Sequence, residues 1–177
     1  MDTVKNSAKL HRQIGLLLYM QPSIMLTNVT MDREQWYTQF NTQTSGLTTL
    51  LPENVHILTL EMVPPNPLTP ISFRQAILRL EHFYENGEDD EMSKPATVDL
   101  QMFSSFNITG AIEMTLGANM MMKDLDRLQW RVMPGEENYI PHKKSVYKRL
   151  EADAKGKLPQ ITLNPMEIKT FLIDFNA

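Results

Sequence analysis

The sequence predicts a mainly β protein: an antiparallel β-sandwich of Greek-key type, preceded by one short N-terminal helix. Three observations carry this prediction. Residues 76–84 alternate strictly, with Ala76, Leu78, Leu80 and His82 on one face and Ile77, Arg79, Glu81 and Phe83 on the other, as a half-buried strand requires. Several further short runs of this kind are separated by glycine, proline and acidic turn residues, giving six or so strands. Neither an internal repeat nor an alternating strand-helix rhythm points to a solenoid or a parallel sheet.

Taken in order, the chain begins with Val4, Ala8, Leu10, Ile14, Leu17 and Leu18 on a helical stripe, and Pro22 ends the run. A short amphipathic helix over 3–19 follows from that spacing. Ile24, Met25 and Leu26 suggest a strand stub, and Asn28-Val29-Thr30 is an N-glycosylation sequon. Residues 32–49 are polar, with Trp36, Tyr37 and Phe40 as anchors, and are expected to form a surface connector. A boundary is expected at Leu51-Pro52, dividing residues 1–51 from 52–177.

Beyond it, Val55 to Val63 is apolar on both faces, which predicts an interior strand. Pro64, Pro65, Pro67 and Pro70 then impose an exposed loop. After the alternating strand, Glu85 to Glu91 holds one glycine among many carboxylates and reads as a solvated hairpin tip. Val98, Leu100 and Met102 resume the alternation, and Ile108 to Leu116 forms a third crossing. Residues 119–128 are rich in methionine, which fills irregular gaps in a core or between domains, and Gln129 to Val132 reads as a strand. Residues 134–159 predict a long polar excursion with helical turns near Ser145 to Ala154. Gln160–Leu163 and Glu167–Phe175 are expected to close the fold as a final strand pair.

Composition narrows function chiefly by exclusion. With 177 residues, 42% of them hydrophobic and 21% charged, the chain matches a globular protein able to bury a core. A net charge of −4 disfavours nucleic-acid binding, and the local basic surplus between Lys143 and Lys157 reads as a solvated loop. No apolar run approaches the roughly 20 residues needed to span a bilayer. The first twelve residues lack the apolar segment of a signal peptide, so a secretory parent would carry its signal upstream. The absence of cysteine removes disulfides and thiolate metal sites.

No catalytic, cofactor-binding or metal-binding residue is predicted in this chain. The four histidines, His11, His56, His82 and His142, share no i, i+2 or i, i+4 spacing, so none pairs with another as a metal ligand. Glu81 and His82 point to opposite faces of their strand, and His82 is expected to be a sheet-face histidine with satisfied hydrogen bonds. Residues 88–91 lack the alternating ligand pattern of a calcium loop. No nucleophile elbow, phosphate loop or dinucleotide fingerprint is present. The modification candidates are Asn28 and Asn107, each heading a sequon.

Three strings carry a resemblance. LRLEHFYENGEDD, DLQMFSSFNITGAIEMTLGAN and ITLNPMEIKTFLIDF, in this order, resemble the C-terminal part of the lysosomal-type α-mannosidases of glycoside hydrolase family 38. The likeness extends weakly from about His11 and firmly from Pro52. It implies that residues 1–51 are the tail of one β domain and 52–177 the last β-sandwich. It implies an intact enzyme that is a retaining, zinc-dependent glycosidase hydrolysing terminal α-mannose of N-glycan oligosaccharides, in the lysosome or secreted. The nucleophile, the acid–base residue and the zinc ligands belong to an absent catalytic domain, and no position here matches their motifs. The implied partners are the catalytic and helical-bundle portions of the same enzyme, with no nucleic acid and no membrane. Those portions would cover the sheet face left in excess by the two-sided apolar runs at 55–63 and 160–175. The competing reading is a free-standing carbohydrate-binding sandwich, which would display a coplanar aromatic platform, with Trp36 and Trp130 as the residues to inspect.

Overall fold

A computed structural model describes residues 4–64, 74–126, 150–151 and 157–176. Two helices, α1 (Val4–Tyr19) and α2 (Arg33–Gln39), precede seven strands: β1 (Val55–Met62), β2 (Arg74–His82), β3 (Ala96–Val98), β4 (Asn107–Met114), β5 (Leu150–Glu151), β6 (Ile161–Leu163) and β7 (Ile168–Asn176). A five-stranded antiparallel sheet runs in the order β1-β2-β7-β4-β5, and β3 pairs with β6 in a small second sheet. The mainly β architecture with one N-terminal helix of some length is therefore as predicted.

The core lies between the sheets. On the larger one, Ala76, Leu78 and Leu80 of β2 share a face with Phe171, Ile173 and Phe175 of β7 and with Ile108 and Ala111 of β4. Ala96, Val98, Ile161 and Leu163 come from the smaller one, and Leu100, Met102, Phe103 and Leu158 close the layer. The expected alternation of β2 is present, with Ala76, Leu78, Leu80 and His82 buried and the residues between them half-buried.

Several expectations are corrected. Val55–Met62 is an edge strand, not an interior one: it pairs only with β2 among the described residues, and Leu58, Leu60 and Met62 are exposed. Two-sided apolar character signals burial only when something lies on both faces, and a register shift between Ile57 and Thr59 further breaks the pattern. The last two strands do not pair with each other; β6 belongs to the small sheet, while β7 sits centrally between β2 and β4. Residues 85–95 make no hairpin either, because the chain crosses from β2 to the other sheet. Leu100 and Met102 lie in a 3-10 turn that begins where the Asp99 carboxylate accepts the Gln101 amide at 3.0 Å.

The strand stub at Ile24–Leu26 is irregular and exposed. The connector at 32–49 contains α2, whose Asp32 cap accepts the Gln35 amide at 2.8 Å, with Glu34 favourably placed in its first turn. Within the expected helical turns at 145–154, Leu150 and Glu151 are a strand against β4, and the rest of that stretch lies outside the described residues, as do 65–73 and the expected strand at 129–132.

Candidate functional site

One end of the larger sheet holds two of the buried polar side chains, His82 and Asn54. His82, the last residue of β2, is fully buried. The Tyr84 amide is directed at its Nδ1 at 3.4 Å, while its Nε2 lies 2.9 Å from the Lys94 carbonyl and 3.0 Å from the Asn54 Nδ2. Asn54, buried just before β1, donates from Nδ2 to the carbonyls of Met92 (2.9 Å) and Lys94 (3.1 Å). Two side chains thus satisfy the crossover that leaves β2 for β3, a segment without a ladder of its own. His82 has the predicted structural role. Asn54 was not foreseen, because nothing in its neighbourhood distinguishes a buried amide from a turn residue.

The acidic tip beside this centre is only partly the solvated cluster expected. Arg12 of α1 places Nε 2.9 Å and 3.2 Å from the two carboxylate oxygens of Glu88, and its Nη2 3.3 Å from Glu85. Glu88 also accepts the Glu85 amide at 2.8 Å. Burial pushes the Glu88 carboxyl up, but the hydrogen bond from Arg12, the Glu85 amide and the charges of Arg12 and His11 outweigh it and hold the group below its ordinary value. Asp89 caps the amides of Glu91 and Met92, both at 2.8 Å, so its carboxylate shapes the turn.

The clamp fixes which face α1 turns to the sandwich. Ala8, Arg12 and Leu16, one turn apart, are partly buried, while Leu10, Ile14, Leu17 and Leu18 are exposed. Between the end of α1 and the start of β1 lies an open apolar groove of about 350 Å³, lined by Leu16, Leu17, Met20, Leu51, Val55, His56 and Ile57. His56 is its only lining residue with a polar side chain. The His56 Nε2 lies 3.4 Å from Glu81, and its buried Nδ1 has no hydrogen-bond partner.

These groups are engaged in hydrogen bonds and ion pairs of the fold. Among the described residues no three His, Cys, Asp or Glu side chains are grouped to hold a metal, and both His82 nitrogens face peptide groups. Other carboxylates serve structure: Asp174 accepts from Gln75 at 2.8 Å, and Glu167 accepts the Asn164 amide at 2.8 Å beside Lys169. No helix among the described residues is long and apolar enough to cross a membrane. The Trp36 and Phe40 rings stack on each other at 25° and 5.6 Å, Tyr37 meets Trp36 edge-on, and Arg33 covers Tyr37. These rings use their faces on one another rather than forming a flat platform; Trp130 lies outside the described residues. Asn28 and Asn107 are both exposed, Asn28 in irregular chain and Asn107 at the start of β4.

The decisive comparison covers most of this fold. Residues 54–171 match the family model described as the glycosyl hydrolases family 38 C-terminal beta sandwich domain. The chain belongs to glycosyl hydrolase family 38. It is 34% identical over 175 residues to the lysosomal alpha-mannosidase of Bos taurus and likewise to that of Homo sapiens, with 97% of the chain covered in each case. Identity to the lysosomal alpha-mannosidase of Dictyostelium discoideum is 30% over 178 residues, covering 98% of the chain. The match spans only 16% of the length of the Bos taurus and Dictyostelium proteins and 15% of the human one.

Within this family 38 sandwich, the three strings that carried the resemblance are the skeleton. The first supplies Leu78, Leu80, His82 and Tyr84, the second Leu100, Met102, Phe103 and Ile108, and the third Ile161, Leu163, Phe171, Ile173 and Phe175, all buried. They identify the family through packing rather than through reacting groups.

Proposed function

We propose that this chain is the non-catalytic C-terminal β region of a lysosomal-type α-mannosidase. The carrying observation is the pairing of a C-terminal domain match with relatives roughly six times longer. The described carboxylates and histidines, tied into turns, caps and the α1 clamp, support it. On this reading residues 1–51 belong with the preceding β domain and 52–177 are the terminal sandwich. The intact enzyme hydrolyses terminal α-mannose residues of N-glycan oligosaccharides with retention, and zinc is held by the preceding catalytic portion. Its place is the lysosome or the secretory route to it, with Asn28 and Asn107 as glycan acceptors. The chain works by packing against the rest of its own polypeptide.

A retaining glycosidase needs two carboxyl groups about 5 Å apart across the scissile bond. The 177-residue chain should therefore show no turnover of a chromogenic α-mannoside with or without added zinc, whereas the parent polypeptide should. Turnover by the chain alone that disappears on substituting one of its own carboxylates would overturn the proposal.

A further inference from the structure

An amphipathic helix on a globular protein ordinarily turns its apolar stripe inward. Here the orientation is reversed. Ala8, Arg12 and Leu16 face the sandwich, held by Glu88 and Glu85, while Leu10, Ile14 and Leu17, spaced i, i+4, i+7, face away. Leu17 is 71% exposed, and the apolar row continues into the groove through Met20. Ile24, Met25 and Leu26, just beyond, are 85% to 94% exposed. A monomer rarely leaves so continuous an apolar surface open, and scattered exposed leucines would not share one helical stripe.

We infer that the outward row of α1 and the groove between α1 and β1 seat an apolar face of the polypeptide that precedes this region in the intact enzyme. The inference rests on the reading of the chain as a mannosidase C-terminal region, and it assigns the contact to one surface. Two observations select that occupant. Most of the relatives' length lies outside the match, and the matching model is a C-terminal one, so on this reading a large body precedes this region. That body is covalently continuous with α1, which raises its effective concentration at this surface above that of any separate partner.

Methionine oxidation by dilute peroxide gives a direct test, because Met20 lines the groove and Met120 is exposed on the β4 side of the sheet. In the full-length parent, Met20 should oxidise at least about tenfold more slowly than in the 177-residue chain, since attack must await opening of the contact. Met120 should react alike in both. Leu17→Asp in the parent should restore fast oxidation of Met20 without slowing or speeding Met120. Equal Met20 rates in parent and chain, with protection at other methionines of this region, would overturn the assignment of the surface while leaving the C-terminal reading intact. No protection at any methionine of the region would overturn the C-terminal docking reading itself.

Discussion

Arg12 and Glu88 stand 76 residues apart in sequence and meet at 2.9 Å, with the second carboxylate oxygen 3.2 Å from the same nitrogen. That contact couples the N-terminal helix to the tip of the acidic crossover. It sets the azimuth of α1, and so decides that the leucine stripe points outward. The pair is partly exposed, and such pairs contribute modestly, so its role is orientation more than global stability.

Arg12→Ala should therefore loosen α1 while leaving the sandwich intact. The expected cost is about 0.5 kcal/mol, read as faster hydrogen exchange of α1 amides with unchanged exchange in β2 and β7. The pH dependence has a definite sign. Glu88 is held below its unfolded value, so the stability it adds is complete above the unfolded carboxylate value and is lost as pH falls through the lowered folded one. Protection of α1 should fall in that acid window, and Glu88→Gln should abolish the pH step. An α1 that exchanges at the same rate in wild type and both variants would rule out the clamp as its anchor.

Asn54 and His82 lead to a larger effect. Asn54→Ala removes the amide donor from the Met92 carbonyl and from the Lys94 carbonyl in a buried site. A buried group left unsatisfied costs about 1–3 kcal/mol, and the variant should lose that much in urea unfolding. Asn54→Asp should be worse, because a carboxylate would face two carbonyl oxygens. Equal midpoints for Asn54→Ala and wild type would show that water replaces the amide without loss.

How much of this was legible follows from where each signal resides. β2 could be read residue by residue because one face is buried and the next is not, which is what an alternating pattern encodes. β1 was misread for a physical reason: Leu58 and Leu60 look like core residues because they are apolar, yet their burial depends on a surface that local sequence does not contain. Strand partners were equally hidden, since β6 and β7 are neighbours in sequence but pair with β3 and with β2 and β4 across long separations. α2 left a short signal, Asp32 three residues before Gln35, in a segment below the length at which helices form independently. Of the polar centre, His82 could be foreseen as satisfied, but its partners could not, because Lys94 and Asn54 reach it only through the fold.

Asn28 gives a prediction about maturation. It sits in an exposed, irregular stretch, while Thr109, in the sequon of Asn107, has its hydroxyl engaged with the Asp174 carbonyl at 3.2 Å. Transfer of a glycan needs an accessible acceptor loop, so Asn28 should be occupied more fully than Asn107 in material from a secretory host. Glycan release with mass mapping should convert Asn28 to aspartate in most molecules. An unmodified Asn28 peptide beside a modified Asn107 would reverse the order.

Glu113 works against Glu88 in the pH balance. It lies on β4 opposite Phe171, at the margin of the core, where burial pushes its carboxyl above the ordinary value; Lys169 opposes that push and Glu167 adds to it. The folded state thus holds this proton more tightly than the unfolded chain. Its contribution is complete below the unfolded value and is lost as pH rises through the raised folded one, which is opposite in sense to Glu88. Glu113→Gln, neutral at every pH, should be more stable than wild type at pH 7 and no different well below the carboxylate range. The group is partly exposed, so solvent screening limits the gain to roughly a few tenths of a kcal/mol. Urea midpoints at pH 7 and pH 3 test it: a variant no more stable than wild type at pH 7 would mean that attraction to Lys169 outweighs the cost of burying the charge.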